Sequence, residues 1–142
     1  MPPPLKIILI NCLDALPAPI EEAEAYLKDQ EVNQHDRHTT ELVIEELVTN
    51  TIKYGYSDTQ VQEISIELSL SPGSICLKII DNANPFDPTT PPQKKVDTHS
   101  SLEKREIGGI GLLLVKKFAE TFSYERIENK NKQTITIKRS KT

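Results

Sequence analysis

The sequence is short of the residues that would staple it covalently or hold a metal. It has two cysteines in 142 residues, Cys12 and Cys76, with no CxxC spacing and no histidine cluster beside them. A disulfide framework and a zinc site are both excluded on that count. Each cysteine reads as a small hydrophobe in or near an apolar strand, which suits a reducing cytoplasm. His35, His38 and His99 lack metal-ligand spacing as well. No apolar run approaches the roughly 18 residues of a membrane span, and no signal-peptide pattern opens the sequence. The expectation is a cytoplasmic protein without a membrane segment. Basic residues do not dominate: 17 Lys and Arg face 21 Asp and Glu, a net charge of −4. That is not the basic footprint of a dedicated nucleic-acid binder. There are no internal repeats and no sign of a second domain. The chain is expected to form one domain, residues 1–142, with one core.

Periodicity supplies the elements. Leu5–Ile10 is a short apolar run with β-branched residues and reads as a strand, with Met1–Pro4 a frayed start. Pro17–Val32 reads as a helix, with Glu21, Glu22 and Glu24 placed in its first turn to suit the dipole. A second helix is expected over Thr39–Tyr54, stopped by Gly55, with Ile44, Leu47, Val48 and Thr51 forming its core stripe. Val61–Leu70 alternates apolar and polar residues, and after a turn at Ser71–Ser74 comes Ile75–Ile80, so the pair reads as a hairpin. Residues 82–107 are rich in proline and polar residues, and a loop of that length suggests a lid. A strongly apolar helix follows over Leu112–Thr121. Two strands, Phe122–Ile127 and Thr134–Lys138, close the chain around a turn at Asn129–Lys132. This order predicts an α+β two-layer sandwich, with helices on one face of a largely antiparallel mixed sheet.

Three groups of residues can carry chemistry. On the second helix, Glu46, Asn50 and Lys53 lie three and four apart and so share one ridge. They present a carboxylate that can act as general base, an amide oxygen that can reach Mg²⁺, and an ammonium that can balance phosphate charge. After the first hairpin comes Asp81-Asn-Ala83-Asn-Pro-Phe86-Asp-Pro88. A carboxylate ending an apolar strand at a cleft mouth can accept a hydrogen bond from an exocyclic amine such as adenine's. Three of the five glycines fall in Gly108-Gly109-Ile110-Gly111, ahead of Leu112. Glycines admit close backbone approach, and a helix start binds phosphate through free N–H groups. The pattern is neither a P-loop nor the opening of a dinucleotide fold. Singly, each group has an ordinary explanation: a solvated helix face, an Asx turn, a tight turn. It is their occurrence in this order that points to a site.

In that order the residues resemble the ATPase/kinase superfamily of gyrase, histidine kinases and MutL. Residues 46–54 look like its N box, residues 81–88 like its first Gly box, and residues 109–112 like its second. The small size and the Pro-Phe-Asp-Pro run are similar to the bacterial anti-sigma-factor serine-protein kinases. The resemblance implies a Bergerat ATP-binding sandwich using ATP and Mg²⁺, with residues 82–107 as the ATP lid. By the same resemblance Glu46 would be the base that activates a hydroxyl and Asn50 the Mg²⁺ ligand. Lys53 would lie near the phosphates, and Asp81 would read the adenine amine. Backbone at Gly109 and Gly111 would hold phosphates, with Ala83, Phe86, Ile110 and Leu112 as the other motif positions lining the nucleotide. Arg105, just before the second Gly box, can reach a phosphate or a partner. Thr134 stands where some relatives touch adenine through water. The implied partners are a STAS-domain anti-anti-sigma protein that receives the phosphate, a sigma factor, and a second copy in a homodimer.

One departure stands out. Ala83 occupies a position that is usually Gly in the first Gly box. If the backbone there needs a positive φ, alanine costs about 1 kcal/mol and weakens nucleotide binding. The expected function is therefore an ATP-dependent serine/threonine-protein kinase. The alternatives are a weak or inactive module that sequesters a partner, or a detached histidine-kinase catalytic domain.

Overall fold

The computed structural model describes residues 2–88 and 111–140. Its elements are β1 (Leu5–Ile10), a 3₁₀ turn (Leu13–Ala15), α1 (Pro17–Asp29), α2 (Gln34–Tyr54), β2 (Glu63–Leu70), β3 (Ser74–Asp81), β4 (Thr121–Ile127) and β5 (Lys130–Lys138). Residues 111–118 are helical and are called α3. The five strands form one sheet in the order β1-β2-β3-β5-β4, and all four pairings are antiparallel.

Strict alternation decides which way the sheet faces. Ile64, Ile66, Leu68 and Leu70 of β2 are buried, as are Ile75, Leu77 and Ile79 of β3 and Ile135 and Ile137 of β5. These side chains meet Ala23 and Leu27 of α1, Val43, Ile44, Leu47 and Val48 of α2, and Val115 of α3 in a single core. The other sheet face is half-exposed, with Ser65, Glu67 and Ser69 on β2. The helices thus cover one face of an antiparallel sheet, as the pattern of elements predicted.

Several boundaries differ from expectation, each for a local reason. α1 starts with Pro17 in its first turn, where the missing N–H costs nothing, so Glu21, Glu22 and Glu24 fall beyond that turn. It ends at Asp29 because Glu31 adopts a left-handed φ of 61°. α2 begins five residues earlier than Thr39. The Asn33 side chain caps it by accepting the Asp36 N–H at 2.8 Å. The last turn lies at Glu128 and Asn129, with φ of 49° and 66°, the pattern of a two-residue hairpin turn. Asn131 and Lys132 therefore belong to β5 rather than to the turn. The Tyr26 hydroxyl donates to the Pro3 carbonyl at 2.8 Å, so the start of the chain is tied to α1.

Candidate functional site

The site lies where the end of β3 meets the start of β5, under the last turns of α2. In β3 the alternation that buries Ile75, Leu77 and Ile79 also turns Asp81 inward, leaving it 2% exposed. Register sets Asp81 opposite Asn131 and Ile79 opposite Gln133. β5 alternates in the same way, so Asn131 and Gln133 share its inner face with Ile135 and Ile137. A polar end is thereby set into an otherwise apolar sheet face, next to a cavity of about 520 Å³.

Asn131 holds that end together. Its Nδ2 donates to Asp81 Oδ1 at 2.9 Å, to the Ala83 carbonyl at 3.2 Å and to the Asn84 carbonyl at 3.1 Å. Its Oδ1 accepts from the Tyr124 hydroxyl at 2.6 Å and from Arg126 Nη1 at 3.0 Å. Arg126 Nη1 also donates to the Ala83 carbonyl at 2.9 Å. The Ala83 N–H returns to Asp81 Oδ1 at 3.0 Å. Among the described residues, both hydrogen bonds to Asp81 converge on Oδ1. Burial pushes the Asp81 carboxyl above its ordinary 3.8, against the opposing pull of the Asn131 amide, the Ala83 N–H and the Arg126 guanidinium.

Ala83 removes the concern raised by its sequence. Among the described residues, positive φ outside glycine occurs only at Glu31, Glu128 and Asn129. Alanine is therefore unstrained at position 83. The glycine the contact needs is on the other side. A Cβ on Gly55 would come within 2.7 Å of the Ala83 Cβ and 2.5 Å of the Thr51 carbonyl oxygen. The Asn84 N–H donates to the Gly55 carbonyl at 2.7 Å, closing this corner. Gly55 is thus present for close approach. Its φ of −87° is right-handed, so it does not end α2 through a left-handed cap.

Of the ridge expected on α2, the structure brings two residues to the cavity. Asn50 and Lys53 line the cavity with Asp81, Ala83, Phe86 and Leu112. Asn50 Nδ2 is buried without a hydrogen-bond partner. Such a group carries a desolvation penalty unless a ligand or water satisfies it. Glu46 is not among the lining residues; its carboxylate packs against Gly111 at the start of the described part of α3. A Cβ on Gly111 would collide with Glu46 Oε2, so only glycine leaves the carboxylate in place. No group of three or more His, Cys, Asp or Glu among the described residues is arranged to hold a metal. Mg²⁺ fits this donor set only as a partner of nucleotide phosphates and waters, with the Asn50 amide oxygen as the one protein ligand on offer.

Gly109, Ile110 and Arg105, with Gly108 and most of the 82–107 segment, lie outside the described residues. Thr134 is on the outer face of β5, opposite Lys78 and away from the cavity. Its neighbour Gln133 lines the cavity instead, because the inner face of β5 is the odd-numbered one. Asn131, Gln133, Arg126 and Tyr56 were not foreseen. The alternation Asn131, Gln133, Ile135, Ile137 is the signal that would have found the first two.

Residues 11–139 match the histidine kinase-like ATPase domain family. The chain belongs to that family. It is 29% identical over 103 residues to the serine/threonine-protein kinase BtrW of Bordetella bronchiseptica, covering 70% of this chain and 69% of that protein. It is 27% identical over 77 residues to the serine-protein kinase RsbW of Listeria monocytogenes, covering 53% of this chain and 49% of that protein. A solved structure of the RsbU and RsbW domains of Rv1364c from Mycobacterium tuberculosis superposes with a TM-score of 0.68 at 17% identity. That match takes in 98% of this chain and 34% of the mycobacterial one. At that identity the likeness speaks for the fold alone.

Proposed function

We propose that this ATPase-family chain is a Mg-ATP-dependent serine/threonine-protein kinase of the anti-sigma-factor type. The observation that carries the reading is one cavity holding both an inward Asp81 carboxylate and the unpartnered Nδ2 of Asn50, an N–H donor suited to a phosphate oxygen. Two relatives named as protein kinases give the class of reaction. Asp81 accepts the exocyclic amine of adenine. Asn50 lies one helical turn beyond Glu46, where its amide oxygen would hold Mg²⁺ against the phosphates. Bound there, the ion supplies charge neutralisation on the transferring phosphoryl group. Lys53, exposed at the cavity wall, adds positive charge near the phosphates. Glu46 takes the proton of the attacking hydroxyl as its oxygen bonds to the γ-phosphorus and ADP leaves.

The proposed acceptor is a serine or threonine of a STAS-domain anti-anti-sigma protein, with a sigma factor as the regulated partner. A cytoplasmic setting belongs to the same reading. Homodimerisation is proposed on the edge strand β1, whose outer residues Ile8 and Ile10 are 65% and 45% exposed and offer a second copy apolar surface. Ala83 gives no support to an inactive sequestering module, because its backbone is unstrained.

Calorimetric titration with ATP, with and without Mg²⁺, tests the site. Asn50→Ala is expected to lose the metal-dependent part of binding while keeping its fold. Glu46→Ala is expected to bind ATP as the parent does and to transfer no phosphate to a STAS-domain substrate. Equal loss of binding and transfer in Glu46→Ala would remove its role as base.

A further inference from the structure

Four buried side-chain atoms among the described residues have no hydrogen-bond partner: Glu24 Oε2, Glu41 Oε2, Asn50 Nδ2 and the Tyr56 hydroxyl. The two glutamates form a carboxyl pair between α1 and α2, for which one shared proton suffices. The remaining two line the same cavity. Asn50 has a role in the reading above; Tyr56 has none. A buried hydroxyl without a partner is costly, so its presence at a cavity wall asks for a ligand. Tyr56 follows Gly55, whose carbonyl is tied to the Asn84 N–H, so the phenol is carried by the same corner that fixes Asp81.

We propose that Tyr56 is a base-reading residue, its hydroxyl donating to the ring nitrogen beside the amine that Asp81 accepts. The inference rests on the adenine-nucleotide reading of the cavity. Adenine offers an amine donor next to a ring-nitrogen acceptor on either side, N1 or N7. The cavity wall offers both complements, the Asp81 carboxylate as acceptor and the Tyr56 hydroxyl as donor. Burial, followed by the nearby Asp81 charge, raises the Tyr56 phenol to about 12, so it keeps its proton and remains a donor at neutral pH. A site built to bond a polar ligand atom rejects an analogue lacking that atom, because its own group is then left unpaired.

The test is Tyr56→Phe with three probes: ATP, 1-deaza-ATP and 7-deaza-ATP. The parent should bind ATP more tightly than at least one deaza analogue. In Tyr56→Phe, ATP should weaken about tenfold, the scale of one lost hydrogen bond, and that discrimination should vanish. The ligand-free variant should melt no lower than the parent, because the hydroxyl it loses had no partner. Unchanged ATP affinity, unchanged discrimination against both analogues, or a lower melting point of the ligand-free variant would each overturn the assignment. Failure of the parent itself to bind ATP would instead bring down the nucleotide reading on which the assignment stands.

Discussion

At the scale of single residues, Asn131 is the side chain on which the site depends most. It is buried, and its amide joins the end of β3, the two carbonyls that follow it, and β4. Replacing it leaves several buried partners unsatisfied at once. Asn131→Ala is expected to destabilise the fold by about 2–4 kcal/mol in chemical denaturation and to weaken ATP binding as Asp81 loses its anchor. Asn131→Asp would place a second carboxylate beside Asp81 and should be worse for binding. The sequence displayed Asn131 as one of several polar residues in Asn-Lys-Asn-Lys, which reads as a turn. Asp81 was legible because it ends a continuous apolar alternation; Asn131 begins one, and turn chemistry obscured it. Tyr56 was not legible at all, since nothing local separates a wall tyrosine from an exposed one past a helix end.

At the scale of elements, α1 and α2 are clasped by a carboxyl pair. Glu24 on α1 and Glu41 on α2 each bury an Oε2 that has no fixed partner, so a shared proton suits the pair, and Arg37 Nε donates to Glu24 Oε1 at 2.9 Å. Burial, then the Glu24 carboxylate, raises Glu41 from 4.5 to about 7. The shared proton with Glu41, ahead of Arg37 and His38, holds Glu24 below its ordinary value against the opposing effect of burial. One proton thus serves two carboxylates. Glu41 binds that proton more tightly folded than unfolded. Its contribution is fully present below about pH 4.5 and is lost as pH rises through about 7. Glu24 behaves oppositely, losing its contribution as pH falls through its depressed pKa. Glu41→Gln supplies a permanent donor. Melting temperatures of this variant should be nearly flat between about pH 4.5 and pH 7, where the parent declines. A parallel decline in both proteins would count against the shared proton.

Elements were also where sequence reasoning did best. β1 was read to the residue, because an unbroken apolar run leaves little choice of ends. Ile44, Leu47 and Val48 of the α2 stripe were right because helical periodicity survives whatever caps the helix, while Thr51 is half-buried at the cavity wall instead. Its start was missed because Asn33-Gln-His-Asp36 is uniformly polar, and only the Asn33 side chain, reaching the Asp36 N–H, marks the boundary.

At the scale of the whole molecule, one core joins a single sheet face to three helices, and the cavity sits at the seam between α2 and the β3–β5 pair. A ligand filling that seam binds only the assembled fold. Mg-ATP at a hundredfold excess over its dissociation constant should therefore add about 2.7 kcal/mol to unfolding stability. Thermal melts with ATP, Mg-ATP and neither would read this, and Asn50→Ala should abolish the increment that requires Mg²⁺.

The ladder between β3 and β5 sets the order of events in folding. β2–β3 and β4–β5 are local hairpins, closed by residues 71–73 and 128–129, whereas β1 must find β2 with both helices in between. Short-range pairings of this kind form early, and long-range ones wait for loop closure. The two hairpins meet only through β3 and β5, and Asp81 opposite Asn131 is the terminal rung of that meeting. A chain that has made its hairpins but not joined them has most of its strands and none of its binding chemistry. Competence to hold nucleotide is thus acquired when the two hairpins join, and a bound nucleotide reports that joining.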